Sequence, residues 1–282
     1  MQPVAMFRCK LINARSLNNK INDLRYLLDN DQLDLLCCCE TWLQPSTPDS
    51  VIVANTDFSI FRKDRLHSIG GGVCILINNS TITAVDVPLL DEFCDLEIVC
   101  VDIVNTSIPT RVIACYRPPS TDTDCDAILH MKMFDKCLEF LCDVDSTIVI
   151  AGDINLPYVD WSNPILVSDT DRCSTIFTTF TSSYALNQCV SEPTRYNLNS
   201  STGVTTATLI DLVLCNDNFA VNNVAVEAPF SRSDHCSVVF NIVRQVSPVN
   251  HDFSYRNFAD ADWDSINAAL NDIDWNVIFN IY

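Results

Sequence analysis

Hydrophobic and polar positions along the chain alternate in short blocks, each closed by a polar turn. "AMFRCKLIN" predicts a strand, and "LNNKINDLRYLLDN" an amphipathic helix with Ile21, Leu24, Leu27 and Leu28 at helical spacing. "LDLLCCCE" reads as a second, buried strand ending at Glu40. "FSIFRKD", "GGVCILIN", "LEIVCVDIV" and "RVIACYRPP" predict successive strands with polar turns between them. A helix is expected over residues 124–143, then a strand covered on both faces at "IVIA", then a helix over "RCSTIFTTFTSSYAL". Short strands "NQCV", "LIDLVLC", "NNVAVE" and "CSVVFNIV" complete the series. A strand-rich chain with helices flanking two sheets predicts an α/β (α+β) sandwich with outer helices over residues 1–243. "RQVSPVNHD" at 244–252 reads as a linker. The tail to residue 282 carries the acidic caps and apolar spacing of one or two short helices, too little to fold alone.

Against this apolar background, polar residues recur where strands end. Asn13 follows "CKLI", Glu40 follows "LLCCC", Tyr116 follows "VIAC", and Asp153 and Asn155 follow "IVIA". Asp211 interrupts "TLIDLVLC", and Ser233, Asp234 and His235 precede "CSVVF". In an extended segment, Asp153 and Asn155 would face one spot. Gly152 would let the backbone pass close to a neighbour, and Pro157 would stop further pairing. Four carboxylates, two carboxamides, an imidazole and a phenol suit metal-assisted hydrolysis of a phosphate ester. Mg²⁺, or Mn²⁺ in its place, takes hard oxygen ligands, for which Glu40, Asn13 and Asp234 are the candidates. Asp153 suits a general base with Asn155 orienting water or phosphate, and His235, fixed by Asp211, suits a donor to developing charge. Tyr116 is placed to hydrogen-bond phosphate. Arg15, Arg117, Thr194, Arg195 and Ser233 beside these motifs are candidate substrate contacts, and Arg62, Lys63 and Arg65 form a further basic cluster.

Composition alters this picture in two respects. The net charge is −19, of which residues 251–282 contribute six Asp against one Arg, so the acidity is not confined to the tail. Nucleic-acid binders usually show a basic face, so a basic rim around the cleft is required if DNA is the partner. The 15 cysteines show no C-x-x-C spacing, and many sit inside apolar runs. They read as reduced core thiols, which points to the nucleus or cytoplasm rather than secretion. No apolar run is long enough to span a membrane, and "MQPVAMFRCK" lacks a signal-peptide layout.

"LINARSLNNK", "CETWL", "ACYRPP", "AGDINLP", "EPTRYN", "LIDLVL" and "SDHCSV", in this order, resemble the endonuclease/exonuclease/phosphatase superfamily. The resemblance is closest to the apurinic-type endonuclease domain of jockey-like non-LTR retrotransposons. It implies a four-layer sandwich of two mostly antiparallel β-sheets flanked by helices, with Mg²⁺-dependent DNA nicking. It maps metal ligands to Asn13 and Glu40, the catalytic pair to Asp153 and Asn155, and the histidine with its supporting acid to His235 and Asp211. Asp234 and Tyr116 fall in the same pocket. The tail resembles the segment that leads to a reverse transcriptase in that group. Repair enzymes of the superfamily carry an extra acid shortly after the first asparagine; here that stretch reads Ala14, Arg15, Ser16, as in the retroelement branch. Two other readings stay open: a phosphatase or phosphodiesterase of the same superfamily acting on a phosphoinositide, sphingomyelin or nucleotide, and an inactive domain repurposed for interaction.

Overall fold

The computed structural model describes residues 6–66, 68–106, 109–119, 125–161, 171–198, 203–243, 262–273 and 275. The chain divides into two units, Met1–Ser247 and Pro248–Tyr282. The first contains β1 (Met6–Asn13), α1 (Ile21–Asn30), β2 (Leu35–Cys39), α2 (Asp49–Ile52), β3 (Phe58–Lys63), β4 (Val73–Asn78), β5 (Ala84–Asp86), β6 (Glu97–Ile103) and β7 (Thr110–Tyr116). It continues with α3 (Cys125–Cys142), β8 (Thr147–Asp153), α4 (Arg172–Ser183), β9 (Asn187–Gln188), β10 (Arg195–Leu198), β11 (Thr205–Thr208), β12 (Asp211–Cys215), β13 (Val221–Pro229) and β14 (Cys236–Val243).

Two six-stranded sheets have the orders β13-β14-β1-β2-β4-β3 and β5-β6-β7-β8-β12-β9, and β10-β11 forms a separate ribbon. The expected topology holds: each sheet is antiparallel except for one central parallel pair, β1 with β2 and β7 with β8. A parallel pair needs a long crossover, which α1 and α3 supply.

Strand alternation divides the apolar residues into three cores and so builds four layers. Cys9, Leu11, Cys37, Ile75, Val112, Ala114, Val149, Ala151 and Val213 meet between the sheets. Leu36, Cys38 and Leu76 face the other way, onto Leu24 and Leu28 of α1 and Ile52 of α2. Ile113, Ile148, Ile150, Leu212 and Leu214 pack under Phe134 and Leu138 of α3 and Phe177 and Phe180 of α4.

This alternation also sets the site. Asn13, Tyr116, Asp153 and Asp211 have the same parity as the inter-sheet residues of their strands, so they continue the central core where it turns polar at one end. Tyr116 is in register with Asp153, and Asp153 with Asp211, which aligns the three across one sheet.

Helix α1 starts at Ile21 rather than at Leu17: the Leu17 carbonyl accepts from Lys20 N at 2.8 Å, a tight turn, while its N–H is bonded to Thr41 O at 2.8 Å. Eleven of the 15 cysteines are buried and all are free, and burial pushes the thiols of Cys137, Cys142 and Cys215 up to about 12. Such thiols stay protonated and pack as small apolar groups. No helix among the described residues is long and apolar enough to cross a membrane.

On α3, burial and the Glu139 carboxylate one turn away raise Asp135 to about 6. The folded state then binds this proton more tightly than the unfolded one, so stability falls as pH rises from about 4 through 6. Asp135→Asn is expected to add about 0.5 kcal/mol at pH 7.5 and nothing at pH 4, the scale of a like-charged i, i+4 pair. Urea midpoints at both pH values check this.

In the second unit α5 (Trp263–Asn271) is capped by Asp262, whose carboxylate accepts from Ser265 N at 3.1 Å and Ser265 Oγ at 2.7 Å. The expected linker at 244–252 lies outside the described residues.

Candidate active site

The two sheets meet at Asn13. Its Nδ2 donates to Glu40 Oε1 at 3.0 Å and, across the sandwich, to Asp153 Oδ2 at 2.9 Å. Its Oδ1 accepts from the Arg15 N–H at 3.1 Å. Glu40 is placed by left-handed backbone (φ 50°), and its Oε2 accepts from Trp42 Nε1 at 3.2 Å; Trp42 also has positive φ, 54°. A non-glycine residue in this region costs on the order of 1 kcal/mol, and such residues concentrate at functional sites. Arg15, Ser16 and Asn155 share the conformation here.

Asp153 is fully buried. Burial and the Asp211 carboxylate push it well above the ordinary carboxylate range; His235 pulls it down, Glu40 pushes it up, and the Asn13 bond lowers it. His235 Nδ1 lies 2.8 Å from Asp211 Oδ2 and 3.9 Å from Asp153 Oδ2. Burial opposes charge on this imidazole, but the hydrogen bond to Asp211 and the attraction of both carboxylates outweigh it and raise its pKa. One ligand atom each from Glu40, Asp153 and His235 falls within 4.8 Å of the others. With Nδ1 engaged by Asp211, the hard donors are the oxygens of Glu40 and Asp153. A divalent cation of the magnesium class fits that pair, because it takes one or two carboxylates and relieves the crowding that raises Asp153.

The alternation expected of Asp153 and Asn155 does not continue past the strand end. Asn155 has φ 51°, and its N–H donates to Asp153 Oδ1 at 3.1 Å, closing an Asx turn. Its Nδ2 donates to Arg117 O at 2.8 Å. The turn therefore links the two residues through the backbone rather than by a shared face. Tyr116 is buried, with the Arg65 guanidinium 5.7 Å above its ring.

Three expected substrate contacts are inside the protein instead. Arg117 is 1% exposed and donates through Nη1 to the carbonyls of Ile154 and Asn155, bracing the turn. Thr194 is fully buried, and its Oγ1 accepts from the N–H groups of Ile210 and Asp211 at 3.3 and 3.1 Å. Ser233 Oγ donates to Asn13 O at 2.6 Å and accepts from His235 N at 3.2 Å, joining β1 to the histidine. Sequence position cannot separate a polar residue that touches solvent from one that satisfies a buried backbone group. Thr194→Val leaves two buried N–H groups without an acceptor, so a loss of about 2 kcal/mol is expected, readable from the urea midpoint.

Arg15 and Arg195 both reach Asp234, whose Oδ2 lies 2.8 Å from Arg15 Nη1 and 2.9 Å from Arg195 Nη2. Burial works against charge on Asp234, yet the two guanidiniums outweigh it and hold the carboxyl at about 2. Arg195 also lines a cleft of about 240 Å³ with Asn155, Tyr158, Asp171 and Asn197.

The sequence reading missed Glu97. This buried carboxylate accepts from Arg65 Nε at 2.6 Å and from Gly72 N, so it fixes both the arginine over Tyr116 and the turn facing Glu40. Gly70, Gly71 and Gly72 all have positive φ, and a Cβ on Gly72 would lie 2.4 Å from Thr41 Oγ1. The available signal was an acid at the start of the apolar run "LEIVCVDIV"; its register with Tyr116 came only from the sheet.

A family described as endonuclease–reverse transcriptase matches residues 110–239. The endonuclease domain of TRAS1, a telomere-specific non-LTR retrotransposon, superposes with a TM-score of 0.61 at 14% identity, covering 84% of this chain and 98% of that one. An AP endonuclease from Leishmania major gives 0.68 at 15% identity over 86% and 89%. A 3′ phosphatase from Neisseria, solved with product DNA hairpin, gives 0.65 at 16% over 84% and 99%. No curated protein sequence matches. The family match is confined to residues 110–239, and over most of its length the chain shares the four-layer fold of these three structures.

Proposed function

We propose that the chain is a Mg²⁺-dependent endonuclease, able to use Mn²⁺, that hydrolyses DNA phosphodiester bonds and nicks target DNA for retrotransposition. The observation that carries this reading is the Asn13 amide bonded to Glu40 and Asp153 at once, beside the His235–Asp211 pair. Strands from both sheets thereby converge two acids and an imidazole on one spot. The neighbours named above supply the rest: a family match to endonucleases of reverse transcriptases, and similar structures that are a retrotransposon endonuclease and an AP endonuclease.

Glu40 and Asp153 would hold the metal, which when bound polarises a non-bridging phosphate oxygen. Asp153, as a carboxylate, takes a proton from the attacking water. His235, kept charged by Asp211, donates to the phosphate oxygen on which charge develops. The water oxygen bonds phosphorus, the bond from phosphorus to the 3′ oxygen breaks, and that oxygen takes a proton from solvent to leave a 3′-hydroxyl. Residues 1–243 form the nuclease, and residues 244–282 would lead on to a reverse transcriptase.

A supercoiled-plasmid assay tests this. Nicking is expected with Mg²⁺, absent in EDTA, and reduced by at least about 100-fold in Glu40→Gln. Folded protein that leaves the plasmid intact would move the assignment to another phosphate ester, read by phosphate release.

A further inference from the structure

Asp234 was a candidate metal ligand, and its surroundings argue for a different task. One oxygen, Oδ2, accepts from Arg195 Nε at 3.0 Å and Nη2 at 2.9 Å, and lies 2.8 Å from Arg15 Nη1. Three cationic N–H donors leave that oxygen no free lone pair, and a divalent cation approaching it would meet two guanidiniums first. The other oxygen, Oδ1, is buried with no partner. Asp234 is not among the three residues whose ligand atoms cluster.

The two arginines are held by the site itself. Arg15 follows β1 in left-handed backbone, its N–H bonded to Asn13. Arg195 opens β10 and is bridged to His235. Their side chains remain 45% and 26% exposed. Two guanidiniums this close repel unless an anion lies between them. With Asp234 the trio keeps one net positive charge at the cleft of a strongly acidic protein.

We propose that Asp234 is an arginine-positioning residue, fixing Arg15 and Arg195 as a paired guanidinium seat for a phosphodiester oxygen of the bound DNA strand, and that it does not ligate the metal. The inference rests on the nuclease reading above. Arginine is suited to the task because its planar fork binds phosphate bidentately once its rotamer is fixed.

The test uses oligonucleotide binding in EDTA, followed by fluorescence anisotropy across a salt series, together with Mn²⁺ binding read from the paramagnetic resonance of the free ion. Arg15→Gln and Arg195→Gln are each expected to weaken DNA binding about fivefold and to lower the salt slope by about one. In the nearly isosteric Asp234→Asn background, Arg195→Gln should lose less than half as much, the mark of coupling through Asp234. Mn²⁺ affinity should be unchanged in Asp234→Asn and at least tenfold weaker in Glu40→Gln. A tenfold loss of Mn²⁺ affinity in Asp234→Asn, or equal arginine losses in both backgrounds, overturns the proposal. If the unaltered protein binds no Mn²⁺ and does not nick, the nuclease reading fails instead, while the arginine coupling is still measured.

Discussion

Asp153→Asn is expected to lower nicking by about 10³-fold or more while leaving the protein as stable as before, or more so. The side chain is fully buried between Asp211 and Glu40, and those acids and its burial disfavour its charge. Asparagine keeps the shape, removes the proton acceptor and removes the crowding. It keeps one oxygen, enough for the Asn13 amide or the Asn155 N–H but not both, and removing the crowded charge offsets the bond that is lost. Activity and stability therefore move in opposite directions, as at sites where function holds charge against the preference of the fold. Single-turnover nicking and the thermal midpoint, measured on the same preparation, check both halves. A fall in the midpoint of several degrees would assign the residue a structural role.

Gly152→Ala is expected to have the largest effect on stability, a loss of about 3 kcal/mol or more. A Cβ at Gly152 would lie 1.9 Å from Cys115 O and 2.8 Å from Cys115 C. Both are backbone atoms of β7, the parallel neighbour in register with Gly152, so no side chain can swing aside. The two strands must part, and they carry Tyr116 and Asp153 at their ends. The denaturant midpoint reports the loss, and an unchanged midpoint would mean that β7 yields at little cost.

The glycine before Asp153 was legible as a close approach because it interrupts a run of β-branched residues; its partner, a carbonyl 37 residues away, was not. Long strands and the helices at α3 and α4 were legible for the same reason, since their periodicities extend over enough positions to be read. Helix α2, strand β5 and the β10-β11 ribbon were missed. Four, three and four residues leave no period to see, and their stability comes from what they pack against. The members of the polar cluster were legible as polar residues ending apolar strands. Their division of labour was not. Arg117, Thr194 and Ser233 read as surface groups beside motifs, yet each is drawn inward to satisfy backbone atoms or brace a turn that only the assembled sheets create. Asn155 was assigned by strand alternation two residues beyond Asp153, the last residue to which alternation applies.

The amide of Asn13 belongs to one sheet and the carboxylate of Asp153 to the other, so the 2.9 Å between them gauges how the halves of the sandwich are seated. Sliding of one sheet over the other by a fraction of an ångström breaks that contact long before the apolar layer between them is exposed to water. Heating should therefore switch the protein off at a temperature below the one at which it unfolds, and cooling from that interval should restore it.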